Sequence, residues 1–356
     1  ANPMTSVLPS LPIASVTAGV ATSLAGLAFC YPSSCIATLA SLGLIPVAAV
    51  FTLLRALHNE CDGPTARARL PLGAYNGKCV WITGASSGLG KEFALQLGKL
   101  GAKLVLSARR EGALADVRAA IIEQGAPATS IVVLPCDLSD LGALPAAAEH
   151  AIQAFGGIDV LINNAGFTQR QIAQRTSFAV DIQMTTVDFL ACVCLTKVLL
   201  PSMVANGGGL IINISSIAGK IGLPLRTAYC ASKFALHGFF DALRAEESGH
   251  GIRVTNVCPG SVRTNIARNA VTGDVGQLRG DTDANIEAGL DPSWVCERAL
   301  AAAACGLFES WLGRKSELYL PYMAHYLPDF TKVQVMKKAR ALVEQTLAAV
   351  EAPKES

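Results

Sequence analysis

The chain has 356 residues, which is enough for one domain of roughly 250 residues with flanking segments. Its net charge of +2 and its lack of a basic run argue against nucleic acid as a partner. Its 11 cysteines include no CxxC pair and no histidine at ligand spacing, so they indicate reduced thiols and predict no metal site.

The first 54 residues contain no charged side chain. Residues 35–54 form an apolar run of about 20 residues, the length that crosses a hydrocarbon core of roughly 30 Å. A second apolar stretch, residues 11–29, is open to three interpretations: another span, one arm of a hairpin, or an interfacial segment. A cleaved signal peptide would need a basic start, and none is present. We therefore expect residues 1–55 to anchor the protein in a membrane by one or two spans.

The first positive charges of the chain follow this segment, at Arg55, Arg67 and Arg69. The positive-inside tendency therefore places the remaining chain on the cytosolic or equivalent side. We expect the endoplasmic reticulum membrane, with a mitochondrial or plastid membrane as alternatives. A soluble protein released by removal of residues 1 to about 55 is a further alternative.

A linker with Gly63-Pro64 and Pro71 separates the membrane segment from the main domain. We expect the linker at residues 56–75, the main domain at residues 76–315, and a C-terminal extension with a basic helix at residues 316–356.

The main domain opens with KCVWITGASSGLGKEFALQLGKLGAKLVLSARR, residues 78–110, whose apolar runs and helical periodicity predict a βαβ unit. Gly84 permits the tight turn after the strand, Gly88 lets the backbone approach a pyrophosphate, and Gly90 allows close helix packing. The helix N-terminus adds free N–H groups and the positive end of the helix dipole. The unit therefore predicts a dinucleotide site.

The second strand ends in Ser107-Ala108-Arg109-Arg110, with no acid before Glu111. A carboxylate at this place accepts the ribose 2′-hydroxyl of NAD, whereas an arginine favours the 2′-phosphate of NADP. We therefore expect NADP(H) as cofactor, with Arg109 as the better phosphate contact because it comes first. A solvated basic pair is the alternative.

TGASSGLG resembles the TGxxxGxG turn of the short-chain dehydrogenase/reductases, and further motifs follow in that family's order over residues 76–304. They are CDL ending at Leu138, NNAG ending at Gly166, INISS ending at Ser216, YCASK from Tyr229 to Lys233, and Pro259-Gly260 with Thr264. The motifs are most similar to the family's membrane-anchored member-seven branch. The resemblance implies a Rossmann-like, doubly wound parallel α/β sheet with helices on both faces.

The resemblance also implies two sets of site residues. The catalytic set is Ser216, Tyr229, Lys233 and, where the family usually has asparagine, Asp188. The cofactor-binding set is Thr83, Gly84, Ser86, Ser87, Gly88, Leu89, Gly90, Arg109, Arg110, Asp137, Leu138, Asn164, Ala165, Gly166, Tyr229, Lys233, Pro259, Gly260, Val262 and Thr264.

Tyr229 and Lys233 stand four residues apart, so on a helix they share a face. Reducing a ketone builds negative charge on its oxygen, and a positioned donor must supply a proton. A cation about 4 to 5 Å from a phenol stabilises the phenolate by roughly 3 to 4 kcal/mol at an effective dielectric near 20. We expect Tyr229 to be the general acid or base. By resemblance, Ser216 holds the substrate oxygen and Lys233 also binds the nicotinamide ribose.

Asp188 departs from the family pattern, 28 positions before Ser216. It could accept the same hydrogen bonds as asparagine, or pair with Lys233 and slow turnover, or mark the loss of catalysis. Two function classes therefore stay open. One is a membrane-bound oxidoreductase acting on a lipophilic ketone, aldehyde or alcohol; the other is a non-catalytic subunit of a membrane assembly that retains nucleotide binding. A homodimer is also open.

The remaining segments predict a variable, mobile substrate loop at residues 263–292, a helix at residues 293–307 and a last short strand at residues 317–320. An aromatic cluster precedes a basic helix at residues 332–350. The cluster and this helix are either ordinary packing or an interfacial element beside the membrane.

Overall fold

The computed structural model describes residue 65 and residues 67–351. The predicted membrane segments and most of the predicted linker lie outside the described residues. Contacts divide the chain after Glu60, and the described residues all belong to the unit Cys61–Ser356.

Seven parallel strands form one sheet in the described part of the chain, in the order β3-β2-β1-β4-β5-β6-β7. The strands are β1 Cys79–Thr83, β2 Lys103–Ser107, β3 Ile131–Val133, β4 Val160–Asn163, β5 Gly209–Ile214, β6 Ile252–Pro259 and β7 Glu309–Leu312. The order in which the chain adds strands reverses between β1 and β4, because β2 and β3 lie on one side of β1 and β4 to β7 lie on the other. At such a point the carboxyl ends of the strands leave a crevice for a ligand. The predicted doubly wound sheet is confirmed.

Helices cover both faces of this sheet, which is why its central strands are almost continuously apolar and buried. The helices are α1 Gly88–Lys99, α2 Glu111–Glu123, α3 Leu144–Phe155, α4 Phe178–Thr185, α5 Ala191–Ala205, α6 Thr227–Glu246, α7 Ala284–Glu287, α8 Pro292–Ala304, α9 Lys315–Tyr326 and α10 Pro328–Glu351. One core cluster joins the sheet to α1, α2 and α8. The other joins its opposite face to α3, α5 and α6.

Helices α4 and α5 are continuous through a π turn, Thr186–Leu190, which is one wide turn with i to i+5 hydrogen bonding. Within residues 65 and 67–351, this stretch from Phe178 to Ala205 is the one helix long and apolar enough to cross a membrane. Its buried side chains, among them Leu195 and Leu199, belong to the core of the sheet. We therefore interpret it as a core helix of the domain.

The prediction of a last strand at residues 317–320 is wrong. The last strand is β7, which pairs with β6, and residues 317–320 lie in α9. The Glu317 carboxylate accepts a hydrogen bond from the backbone N–H of Arg314 at 3.0 Å, so Glu317 caps the first turn of a helix as the acidic residue of a capping box does. The predicted division between residues 315 and 316 falls at the start of α9 and stays a prediction.

Candidate active site

Tyr229 and Lys233 lie one turn apart near the start of α6, and both side chains are buried. The Nζ atom of Lys233 lies 5.6 Å from the centroid of the Tyr229 ring. It also donates a hydrogen bond of 3.1 Å to the carbonyl oxygen of Ile214, at the end of β5. The ammonium group is therefore held between the phenol and the carboxyl edge of the sheet.

Asp188 approaches the same ammonium group from the π turn. Its Oδ2 lies 3.2 Å from Lys233 Nζ, and its Oδ1 accepts the backbone N–H of Phe167 at 3.1 Å. The carboxylate is fully buried, and burial raises the pKa of Asp188 against the opposing effect of Lys233. Burial, the largest single effect, would lower the pKa of Lys233, but Asp188, Tyr229 and Cys192 together outweigh it and raise that pKa. The surroundings therefore favour the charged form of the lysine between Asp188 and Tyr229.

Ser216 follows β5 and is half-buried. Its Oγ accepts the N–H of Ala218 at 3.1 Å and donates to the carbonyl of Pro259 over 3.4 Å, which is long for a hydroxyl donor. The hydroxyl proton can therefore turn toward a substrate oxygen at little cost. The neighbouring Ser215 is buried instead, with its Oγ 3.0 Å from Nε2 of His237.

The turn after β1 has the backbone form that a bound pyrophosphate requires. Gly84 and Gly88 have φ angles of +67° and +54°, in the left-handed region that favours glycine. A Cβ atom on Gly90 would lie 2.2 Å from the carbonyl oxygen of Gly84. Ser87, the N-cap of α1, makes no side-chain capping bond, so the first N–H groups of this helix can take an anion. These features fit a dinucleotide.

The NNAG segment is tied directly to the end of β1. Thr83 Oγ1 accepts the backbone N–H groups of Asn164 at 3.0 Å and Ala165 at 3.1 Å, and the Asn164 amide donates to Thr83 O at 2.9 Å. A Cβ atom on Gly84 would lie 2.8 Å from Ala165 Cα, and one on Gly166 would lie 3.0 Å from Asp188 Oδ2. The cofactor turn and the Asp188 carboxylate therefore share one tightly packed segment.

The residues expected around the adenosine lie at the carboxyl ends of β2 and β3. Arg109 and Arg110 are exposed, and their guanidinium groups have no partner among the described residues. Asp137 is exposed and accepts two hydrogen bonds from Ser139, at 2.9 Å and 2.8 Å, while Leu138 is buried. The carboxylate of Asp137 thus accepts hydrogen bonds within its own turn, whereas the guanidinium groups of the two arginines are accessible to a ligand.

The loop after β6 lies over the glycine turn. Thr264 lies beside Gly88, where a Cβ atom would make an ordinary van der Waals contact of 3.6 Å with Thr264 Cγ2. Gly260 donates its N–H to Leu312 O at 2.7 Å, and Val262 forms a β-bridge with Leu290. These contacts hold the expected nicotinamide-side residues against the rest of the site.

Glu317 of α9 supports this loop, a role that sequence reasoning missed. Its Oε1 accepts the N–H of Ser261 at 3.1 Å. A Cβ atom on Gly260 would lie 2.5 Å from Glu317 Oε2. The first turn of α9 thus fixes part of the expected cofactor site.

A ladder of three buried asparagines crosses the sheet just beneath the site, and sequence reasoning missed it also. The side-chain amide of Asn163 donates to Oδ1 of Asn213, and the amide of Asn213 donates to Oδ1 of Asn256, each at 2.9 Å. The three residues are paired in register on the adjacent strands β4, β5 and β6. The signal was available, because each strand has an asparagine inside an apolar run near its end. The ladder fixes the three strand ends relative to one another.

Glu309 of β7 joins a second buried polar network, behind Ser215. Its Oε2 lies 2.6 Å from Lys220 Nζ and 3.3 Å from His237 Nδ1, and its Oε1 accepts the indole N–H of Trp311. The donor atoms of His237, Cys258 and Glu309 come within 4.8 Å of one another. Because the Lys220 ammonium already neutralises the carboxylate, we interpret the network as an ion pair, and the absence of a metal stays a prediction.

Comparisons with known proteins agree with this architecture. The family model described as short chain dehydrogenase matches residues 78–274. The Homo sapiens protein "Dehydrogenase/reductase SDR family member 7" is 39% identical over 275 residues, covering 77% of this chain and 81% of that protein.

Two solved structures share the fold and contain a nicotinamide dinucleotide. A short chain dehydrogenase/reductase from Burkholderia phymatum in complex with NAD has a TM-score of 0.63 and 25% identity, covering 72% of this chain and 96% of its own. A metagenomic short-chain oxidoreductase in complex with NADP has a TM-score of 0.56 and 30% identity, covering 68% and 98%. The chain described here belongs to the short-chain dehydrogenase/reductase family of oxidoreductases.

Proposed function

We propose that this protein is a membrane-anchored, NADP(H)-dependent oxidoreductase that reduces a lipophilic ketone or aldehyde, or oxidises the corresponding alcohol. One observation carries the proposal: the buried side chain of Lys233 lies one helical turn from the buried Tyr229, at the carboxyl edge of the parallel sheet. A cation buried beside a phenol favours the phenolate that proton transfer would leave.

The protein's own residues divide the proton chemistry. Tyr229 donates its phenolic proton to the carbonyl oxygen as negative charge develops there, and Lys233 stabilises the phenolate. Ser216, whose hydroxyl is only weakly held by Pro259, donates a hydrogen bond to the same oxygen. When bound, NADPH supplies the hydride. In the oxidative direction Tyr229 accepts the hydroxyl proton as a base, and a predominantly reduced NADP pool favours reduction.

The cofactor would be held by the glycine turn and by Arg109. Two features favour NADP(H). Arg109 is exposed two residues after the end of β2, and the segment between β2 and Glu111 contains no acidic residue that could accept the ribose 2′-hydroxyl of NAD. The turn from Gly84 to Gly90 and the open N-terminus of α1 fit the pyrophosphate of either dinucleotide.

We expect Arg109→Glu to lower the preference for NADPH over NADH, measured as the ratio of kcat/KM values, on the order of 100-fold. The substitution removes a charge-assisted hydrogen bond to the 2′-phosphate and adds a like charge beside it. Lys99→Glu, with the same charge change on an exposed position at the far end of α1, is the control and should alter the ratio by no more than about two-fold. A retained NADPH preference in Arg109→Glu would contradict the assignment of Arg109.

Membrane anchoring is supported by the charge-free residues 1–54, which precede the described domain. A tethered active site meets substrates that partition into the bilayer, and this favours a steroid, retinoid, sphingoid or other lipid carbonyl. Retention of the full chain in membranes after a carbonate wash, with loss of retention when residues 1–55 are removed, is the result that supports the anchor. Release of the full chain by carbonate would contradict it.

One observation favours a second candidate, a non-catalytic subunit of a membrane assembly. The Asp188 carboxylate lies 3.2 Å from Lys233 Nζ, and its negative charge offsets the stabilisation that the lysine would give to a Tyr229 phenolate. Asp188→Asn keeps an oxygen for the Phe167 N–H and removes the charge. If the native protein is an enzyme, we expect it to reduce carbonyls with NADPH and the variant's kcat to change by less than about ten-fold. Turnover of lipophilic carbonyls by the full chain in detergent is the measurement.

The two candidates predict opposite results for this pair. A gain well above ten-fold in Asp188→Asn over an almost inactive parent would favour the non-catalytic subunit. NADPH binding alone does not separate them, because both retain the nucleotide site. Thermal unfolding of each protein establishes that the variant is folded before the rates are compared.

A further inference from the structure

Three arginines from different loops lie near one another, close to the start of α6. Arg170 follows β4, Arg226 immediately precedes α6, and Arg279 follows β6. Among the described residues, the ion pairs that these arginines make are all with a single carboxylate, that of Asp283. The cluster therefore carries three positive charges against one negative charge.

The Asp283 carboxylate is shared between Arg170 and Arg279. Asp283 Oδ2 lies 3.3 Å from Arg279 Nη1 and 3.7 Å from Arg170 Nη2, while its Oδ1 accepts the N–H of Ile286 at 3.1 Å and caps α7. The Arg170 side chain is only 10% exposed. Solvent therefore screens its excess charge poorly.

Arg226 makes no ion pair or side-chain hydrogen bond within residues 65 and 67–351, and its Nε atom is buried without an acceptor. A buried charged donor without a partner costs free energy that a bound anion would recover. Burial and the charge of Arg226 lower the pKa of Arg170 to about 10. Both observations indicate a site that lacks negative charge.

Backbone contacts hold the cluster beside the catalytic tyrosine. Val271 donates its N–H to Thr168 O at 2.8 Å, and Arg170 donates its N–H to Val271 O at 2.9 Å, so the loops after β4 and β6 are joined. Arg226 stands three residues before Tyr229, and Gln169, next to Arg170, accepts the backbone N–H of Ala228, next to Tyr229, at 3.1 Å. The cluster thus lies beside Tyr229.

The cluster is separate from the phosphate-binding part of the cofactor site. Among the described residues, the side-chain hydrogen bonds and ion pairs of Arg170 and Arg279 are with Thr168, Gln169, Thr282 and Asp283, and none is with the glycine turn or with Arg109. An anion bound here would therefore belong to the substrate rather than to the dinucleotide.

We propose that Arg170, Arg226 and Arg279 bind an oxyanion of the substrate, so that the enzyme acts on a carbonyl compound bearing a carboxylate or phosphate group close to the carbonyl. This inference rests on the proposed function and narrows its lipophilic substrate to an amphipathic one. The planar guanidinium group donates two parallel hydrogen bonds to either oxyanion, and in a desolvated site the pairing is strong.

The kinetic test compares oxododecanoic acids, with the carbonyl at different positions, against their neutral methyl esters, using the full chain in detergent with NADPH. We expect kcat/KM for the best acid to exceed that of its ester by about ten-fold or more, and Arg226→Gln to lower this ratio about 10- to 100-fold. Arg268→Gln removes a charge from an exposed position on the same loop as Arg279, and should change the ratio by no more than about two-fold. Matching oxoalkyl phosphates show which oxyanion is preferred.

Esters turned over as well as acids, or a ratio unaffected by Arg226→Gln, would overturn the inference while leaving the oxidoreductase in place. Failure to reduce any acid, ester or neutral carbonyl would instead contradict the proposed function. The anion site then still has an independent test, saturation-transfer NMR of hexanoate and of hexyl phosphate on the full chain. Binding that is lost in Arg226→Gln and kept in Arg268→Gln supports the site, and equal signals in all three proteins overturn it.

Discussion

Replacing Tyr229 with phenylalanine is expected to lower kcat for carbonyl reduction by about 10²- to 10⁴-fold. The substitution removes one oxygen atom and leaves the ring that packs within the small core cluster of Met184, Ala218, Ala228 and Cys230. The proton that Tyr229 supplies would then have to come from water, while the charge of Lys233 no longer has a phenolate to stabilise.

The measurement is single-turnover NADPH oxidation by the full chain, with NADPH binding followed separately by fluorescence. We expect the variant to bind NADPH within a few-fold of the native protein, so that the loss lies in the chemical step. Tyr319→Phe removes a hydroxyl from a half-exposed position on α9 and should leave kcat unchanged. A Tyr229→Phe rate within about three-fold of the native rate would remove Tyr229 from the mechanism.

Replacing Glu309 with glutamine is expected to lower the free energy of unfolding by about 3 kcal/mol at neutral pH. Burial alone would raise the pKa of Glu309, but His237 and Lys220 outweigh it and lower that pKa from 4.5 to about 2. The side chain is only 16% exposed, so solvent screens these charges weakly. Glutamine keeps an oxygen for the Trp311 indole but leaves Lys220 without its counter-ion.

The same shift predicts a pH dependence with a definite sign. A carboxyl group whose pKa is lower in the folded state contributes its full stability above its unfolded pKa, and loses it as the pH falls toward the folded value. The difference in unfolding free energy between native protein and Glu309→Gln should therefore shrink between about pH 5 and about pH 2. Urea unfolding in detergent across this range measures it.

The control for this effect is an exposed carboxylate. Glu287→Gln on α7 removes a charge from the surface and should change the free energy of unfolding by less than about 0.5 kcal/mol at any of these pH values. A Glu309→Gln protein as stable as the native one at neutral pH would show that the buried network contributes no net stability.

The sequence contained enough information to predict the sheet. In the βαβ unit, β1 is a short apolar run between Gly77 and Gly84, and β2 is a similar run that follows Gly101. The turn between strand and helix needs Gly84 and Gly90 because a Cβ atom there would strike backbone. The error at residues 317–320 arose because ELYL has strand-like composition, while the capping contact of Glu317 with Arg314 that starts α9 becomes visible only in three dimensions.

The site was less predictable than the fold. Spacing on a helix indicated that Tyr229 and Lys233 share a face. The family resemblance brought Asp188 to the site with pairing to Lys233 as one alternative, but the choice among the alternatives depends on the position of a separate helix. The asparagine ladder depends on strand register, and the arginine cluster on three loops that are distant in sequence. Such contacts bring together residues whose separation along the chain carries no periodic signal.

The number of residues in the π turn, Thr186–Leu190, determines the direction of the Asp188 side chain. Deleting one residue there would replace the wide turn by ordinary α-helical winding, which would leave the two flanking halves in place but redirect the side chains inside the turn, including that of Asp188. An aspartate kept at the aligned position would then point away from the ammonium group. For homologues of this protein, a gap or insertion in this segment should be weighed as heavily as a change in the acidic residue itself.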